Sequence, residues 1–266
     1  MIFSTIYRTI GLCGVIFLGG CVAKTPALIP LSPMEARSRE EAFHDIVEQT
    51  CPVAVDADIR LRYNLMGKEL SWPGTLQMQE DRFIYRAIDP LGRPLFMVSA
   101  NDAGFTLVEN QDAMAYSGEW DCGLRHRYLP GKIKPKDVVL WLSGRLSTVD
   151  MSIRRVGMGS EGDCCWFVVD YNDSMTHYVH MDLATGQVSR HLLYDATKDE
   201  IELEIGYSNY SVEGESCQLP GKIILTGSGL TGEAVISLER VYSRKKLPEK
   251  VFRVVLPEYF QVEEVK

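Results

Sequence analysis

Ile59-Arg60-Leu61-Arg62-Tyr63-Asn64-Leu65 sets apolar and polar residues in strict alternation. A period of two puts every second side chain on one face of an extended strand, so the stretch predicts a strand with one buried and one wet face. The pattern recurs. Leu76 and Met78 alternate with Thr75, Gln77 and Gln79, and Ile201, Leu203, Ile205 and Tyr207 alternate with Glu202, Glu204 and Gly206. Ile236, Leu238, Arg240 and Tyr242 form a similar set, and turn signals recur at Asp102-Ala103-Gly104, Ala184-Thr185-Gly186 and Ser228-Gly229. Many short half-buried strands at regular spacing predict an antiparallel sheet or barrel.

Two segments break the period. Ser32 as N-cap, Pro33 at the first helical position and Glu35 closing a capping box announce a helix. Phe43, Ile46, Val47 and Cys51 continue it at helical spacing, and Pro52 stops it. A second helix is predicted over Lys136–Gly144, with Asp137 in its first turn and Val139, Leu140, Leu142 and Leu146 near one side. No repeat and no convincing linker divides residues 32–266, which read as a single domain.

The first residues read differently. Arg8 precedes an uncharged run from Thr9 to Phe17, the length of a signal-peptide core and too short to span a bilayer. The run ends at Leu18-Gly19-Gly20-Cys21, which looks like the lipobox of bacterial lipoproteins. Residues 1–20 are then a cleaved signal peptide and Cys21 is the acylated first residue of the mature chain. Residues 21–31, with Pro26 and Pro30 and no periodicity, read as a lipidated tether.

The bulk numbers, 266 residues with 45% hydrophobic and 24% charged, describe an ordinary globular protein. A net charge of −8, with no basic block and no aromatic-basic motif, argues against nucleic acid. Of seven cysteines, Cys13 leaves with the signal segment and Cys21 is acylated. Five remain, Cys51, Cys122, Cys164, Cys165 and Cys217, in a compartment where disulfides persist, so at least one stays free in a monomer. Vicinal Cys164 and Cys165 point to opposite faces of a strand, which disfavours a mutual bridge. At most two bridges are expected, with their pairing open.

Catalytic and cofactor motifs fail on context. Gly227-Ser-Gly229-Leu-Thr-Gly232 matches the dinucleotide pattern, but it lies between two strand-like runs and reads as a hairpin turn. His177 and His180 have a metal-like spacing, yet on a strand they face opposite ways, so surface histidines are expected and no metal site. No nucleophile signature is present. The chain is expected to be no enzyme and to need no cofactor.

Asp89-Pro90-Leu91-Gly92, the strand Leu95-Phe96-Met97-Val98 after it, the helix Val138–Leu146 and the element Leu219-Pro220-Gly221-Lys222-Ile223 follow one another in a set order. With the acylated cysteine, spacer and first helix, this arrangement resembles the LolB-like lipoprotein receptors of the LolA/LolB superfamily, over roughly residues 40–256. Asp89 replaces the family's Asn, and the cysteines and the tail Glu258–Lys266 are additions. The resemblance implies a mainly β fold, an antiparallel unclosed half-barrel covered by a helical lid around an apolar cavity. It implies an outer-membrane, periplasm-facing, lipid-anchored protein. Such a protein accepts acylated lipoprotein cargo from a LolA-like periplasmic carrier and inserts it into the outer membrane. A leucine in the P-L-G turn serves insertion in the family, and here it maps to Leu91, between Pro90 and Gly92. By its residues alone, Leu91 reads equally as a turn leucine packed under the sheet. Exposed, it would gain about 1.5–3 kcal/mol on entering an apolar phase. Cavity candidates are the inward members of alternating strands, Leu61, Tyr63, Met78, Tyr85 and Met97, together with Trp141. A competing reading is a non-enzymatic envelope lipoprotein that binds another lipid or assists assembly of an envelope complex.

Overall fold

The computed structural model describes residues 25–49, 54–65, 67–120, 134–159, 165–171, 173–211 and 218–265. Cys21, the signal segment and most of the tether lie outside them. The described chain runs β1 Ile29–Pro30, α1 Pro33–Val47, β2 Ala54–Leu65, β3 Lys68–Gln79, β4 Arg82–Ile88, β5 Pro94–Asn101, β6 Gly104–Glu109 and β7 Met114–Gly118. After α2 Pro135–Leu142 come β8 Ser152–Met158, β9 Trp166–Asp170, β10 Thr176–Asp182, β11 Gln187–Asp195, β12 Glu200–Ser208, β13 Lys222–Thr226 and β14 Glu233–Ser243. A 3-10 turn at Glu249–Phe252 and β15 Gln261–Val265 close it.

All these strands share one sheet, in the order β1-β8-β9-β10-β11-β12-β13-β14-β2-β3-β4-β5-β6-β7-β15. Two meanders, β2 to β7 and β8 to β14, are therefore joined where β14 pairs antiparallel with β2. β15 alone is parallel, to β7. β1 and β15 end the row, so the sheet is unclosed.

The register defines an inner face. Leu61 opposes Trp72 on one side and Ile236 on the other, Leu76 opposes Tyr85, and Tyr85 opposes Val98. Farther along, Ile236 opposes Ile223, Tyr207 opposes Ile223, and Phe167 opposes Val179. Two apolar clusters lie on this face, one around Phe43, Phe167, Val179 and Ile205, the other around Val55, Leu76, Met78 and Tyr85. Val138 and Leu142 of α2 pack against both. A helix touching strands so far apart in the row requires the sheet to curve round it.

The helices start as the sequence predicts. Glu35 N donates to Ser32 Oγ at 3.4 Å while Ser32 N donates to Glu35 Oε2 at 3.2 Å. Phe43 stacks on Phe167 with centroids 4.2 Å apart, which anchors α1 to β9. α1 stops at Val47, before the predicted end at Cys51, because Glu48 and Gln49 offer nothing to bury. α2 stops at Leu142. Leu146 is buried, but beyond the helix.

Among the register shifts of the sheet, those in β12 and β14 overturn the alternation read from the sequence. Leu193 pairs with Leu203 but Tyr194 with Ile201, so Glu202 is skipped and Ile201 turns to the outer face, where it packs with Trp166 and Leu192. Glu239 is skipped in the same way, so Arg240 pairs with Asp58 on the outer face, and Tyr242, skipped at a second shift, donates from its Oη to the Asp58 carboxylate. The sequence alternation in both places misassigns these side chains.

After β14 the chain crosses the outer face as a strap. Leu247 N donates to Gln79 Oε1 at 2.6 Å, and Arg82 forms a bidentate ion pair with Glu249 at 2.5 and 2.9 Å. Arg86 donates to Val251 O at 2.8 Å. β15 then adds to β7.

Candidate functional site

The β4–β5 connection, residues 89–93, carries a three-residue tip, Pro90-Leu91-Gly92. Asp89 N donates to Arg93 O at 2.9 Å and Gly92 N to Asp89 O at 2.9 Å, and Gly92 supplies the positive φ of +79° that closes the loop. The Asp89 carboxylate holds the far side, accepting from Leu91 N at 2.8 Å, Arg93 N at 2.9 Å and Arg93 Nε at 2.6 Å. The Arg93 N–H, with the guanidinium and the Leu91 N–H, holds the Asp89 carboxyl below its usual range. Asn would keep the two backbone bonds, but its amide nitrogen cannot accept from Arg93. Leu91, 79% exposed, points into solvent at the tip.

The expected cavity residues separate. Leu61, Met78 and Tyr85 share the inner face, and Tyr85 Oη donates to Trp72 O at 2.8 Å. They pack in the apolar cluster around Val55 and Leu76, where the space left beside Met78 is only about 10 Å³, room for about one water. Tyr63 lies on the same face toward the strand end, opposite Leu70 and Ala234. Met97 is corrected. It pairs with Arg86 and Val108, which puts it on the opposite face from Tyr85 and Val98. Trp141 alone of the six lines one of the larger cavities.

Two such cavities adjoin on the inner face. The larger, about 910 Å³, lies between the end of α1, α2 and the β10–β11 hairpin. Ile46, Leu140, Met181 and Val188 meet Glu48, Lys136, Arg145 and Gln187 in its wall, so its lining is mixed where an apolar cavity was expected. The second, about 340 Å³, lies beneath α2 and shares Lys136, Leu140, Ser147 and Val149 with the first.

The second cavity holds a buried polar row that the sequence reading did not find. His177 Nε2 lies 3.1 Å from Asp173 Oδ2, and His177 Nδ1 lies 2.8 Å from His191 Nε2. Tyr171 packs edge-on to His177, and Trp141 edge-on to His191. His177 is thus not the surface residue its spacing to His180 suggests. β10 does send the two to opposite faces, and the partner of His177 comes from β11. Burial, and then the charge His177 can carry, depress the His191 pKa well below the ordinary value and keep the ring neutral. Burial raises the Asp173 pKa, but the hydrogen bond and charge of His177 and the Met175 N–H outweigh it and leave the net shift downward. Burial drives the Asp137 carboxyl and the Tyr171 phenol upward. The signal was available as a histidine at an inward position of a strand, one turn of the alternation from Leu193. Among the described residues, no group of three or more His, Cys, Asp or Glu could hold a metal ion. No described helix is long and apolar enough to cross a membrane.

No family model matches the chain, and no curated protein is significantly similar to it. Solved structures do match. A domain named for outer membrane lipoprotein sorting, from Vibrio parahaemolyticus, has a TM-score of 0.57 at 12% identity over 82% of this chain and 96% of that one. A LolA superfamily protein from Nitrosomonas europaea has a TM-score of 0.53 at 15% identity over 82% and 97%. A DUF1329 family protein from Desulfovibrio piger has a TM-score of 0.57 at 8% identity over 82% and 97%. At these identities the likeness is one of fold alone.

Proposed function

We propose that this chain is a lipid-anchored, non-enzymatic envelope protein that takes up acylated lipoproteins from a LolA-like periplasmic carrier and releases them into the outer membrane. The observation that carries this reading is Leu91, held in water at the tip of a braced loop on a sheet whose other face curves round a helix. A free apolar tip is a device for touching a bilayer, and an inner-face cavity is a place for chains that cannot cross water. Each buried CH₂ of such a chain contributes about 0.8 kcal/mol, so transfer requires an apolar surface at every stage. A tenfold affinity step from carrier to receptor needs only about 1.4 kcal/mol. A LolA superfamily neighbour and a neighbour named for lipoprotein sorting support the same class of cargo.

The mixed lining of the larger cavity favours a second reading, in which the protein holds a polar-headed lipid without delivering lipoprotein. Mass analysis of material that co-purifies with the protein decides between them. Acylated protein supports the receptor, a free lipid supports the second reading, and an empty cavity argues against both.

A further inference from the structure

When both rings are neutral, the buried row has one direction. His177 Nε2–H donates to the Asp173 carboxylate, so His177 Nδ1 must accept from His191 Nε2–H. His191 Nδ1 is then left as a bare acceptor. The His191 ring is 1% exposed, and its Nδ1 has no hydrogen-bond partner among the described residues. Tyr171 Oη is likewise buried without a partner among the described residues. Both residues line the 340 Å³ cavity, whose remaining wall includes the apolar side chains of Leu140, Trp141 and Leu193. Buried polar atoms are nearly always satisfied, and two orphans in one cavity ask for the same missing occupant.

We propose that the cavity beneath α2 is a headgroup subsite. It receives an uncharged N–H or O–H donor carried on an apolar chain, the donor meeting His191 Nδ1 and Tyr171 Oη. The inference rests on the reading of the protein as a lipid binder and names what that lipid must carry. A neutral donor fits better than an anion, since Asp137, Asp150 and Asp173 outnumber Lys134 and Lys136 around the space. It fits better than a cation because His191 offers a lone pair and no charge. Leu140 and Val149 line both cavities, so a chain leaving the subsite can run along them into the larger one. Asp173 and His177 are positioning residues that set which nitrogen of His191 is bare.

Oleamide and methyl oleate carry the same chain, but only oleamide has N–H donors. Retention of the two tritiated lipids by the full-length protein should favour oleamide by about tenfold, the worth of one hydrogen bond to a buried acceptor. His191→Phe should remove the preference between the two lipids. In ¹⁵N-histidine spectra of the unmutated protein, which need no variant to fold, the His191 Nδ1 resonance should move with oleamide and not with methyl oleate. Equal binding of both lipids, or an Nδ1 resonance indifferent to oleamide, would overturn the headgroup subsite and leave lipid binding standing. Binding of neither lipid would overturn both.

Discussion

At Leu91 a carboxylate should change stability by no more than about 0.5 kcal/mol, because the side chain it replaces already stands in water. Leu91→Glu should therefore keep the parent's thermal midpoint and still accept cargo from a carrier, while releasing it poorly into liposomes, since a charge is costly to bury in lipid. Undiminished release with the midpoint intact would remove the membrane-contact role. The motif around Leu91 was legible in the sequence because Pro and Gly fix a loop locally. His191 was not, because its partner His177 arrives from another strand and only the pairing of β10 with β11 brings them together. The depressed His191 pKa makes a second prediction. The folded state then binds fewer protons than the unfolded one below about pH 6.5, so stability is complete above that value and falls as the pH drops through it. The groups around the ring are His177 and Asp173, Tyr171, Trp141 and Asp137 from α2, and the cavity-lining Lys134, Lys136 and Asp150. Urea midpoints between pH 8 and pH 5 should decline in the parent and decline less in His191→Phe. Equal slopes would mean the titration lies elsewhere.

Among the elements, α1 hangs on one side chain. Phe43 is the buried residue of that helix, and Phe43→Ala should cost about 3–5 kcal/mol, read from urea unfolding, by opening a space against Phe167. A loss under 1 kcal/mol would show α1 to be only loosely docked. The strap depends on a polar contact instead. Gln79→Leu leaves Leu247 N–H buried without its acceptor and should cost about 1–3 kcal/mol, with faster amide exchange at Leu247. Unchanged exchange would mean the strap is held by Arg82 and Arg86 alone. The strands and both helix starts were legible because period, caps and prolines are written locally. The faces beyond Glu202 and Glu239 were not. A bulge leaves no local signature in an alternating run, so Ile201, Arg240 and Tyr242 went to the wrong side. Met97 fell to a related cause: nothing in a strand read alone says which parity faces inward.

For the whole molecule, the expected lipid at Cys21 makes the anchor removable. Cys21→Ala should place folded protein in the soluble fraction, and retention in membranes after removal of the signal segment would point to another anchor. Of the five later cysteines, Cys165 is disulfide-bonded, and Cys51, Cys122, Cys164 and Cys217 lie outside the described residues. Thiol titration of the denatured, unreduced monomer should still find at least one free group, and none would contradict the parity argument. The join between the two meanders sets a timetable. A polypeptide made from its N-terminus completes β2 early, yet the strand that covers its open side, β14, is made almost last, with Asn64 waiting for Glu233 and Asp56 for Ser243. Through that interval β2 presents a long row of unpaired amides and carbonyls, an invitation to the wrong neighbour. Closure then demands a contact between distant parts of the chain, the slow kind of step in folding. Newly made molecules should be most vulnerable to aggregation before the final strands arrive.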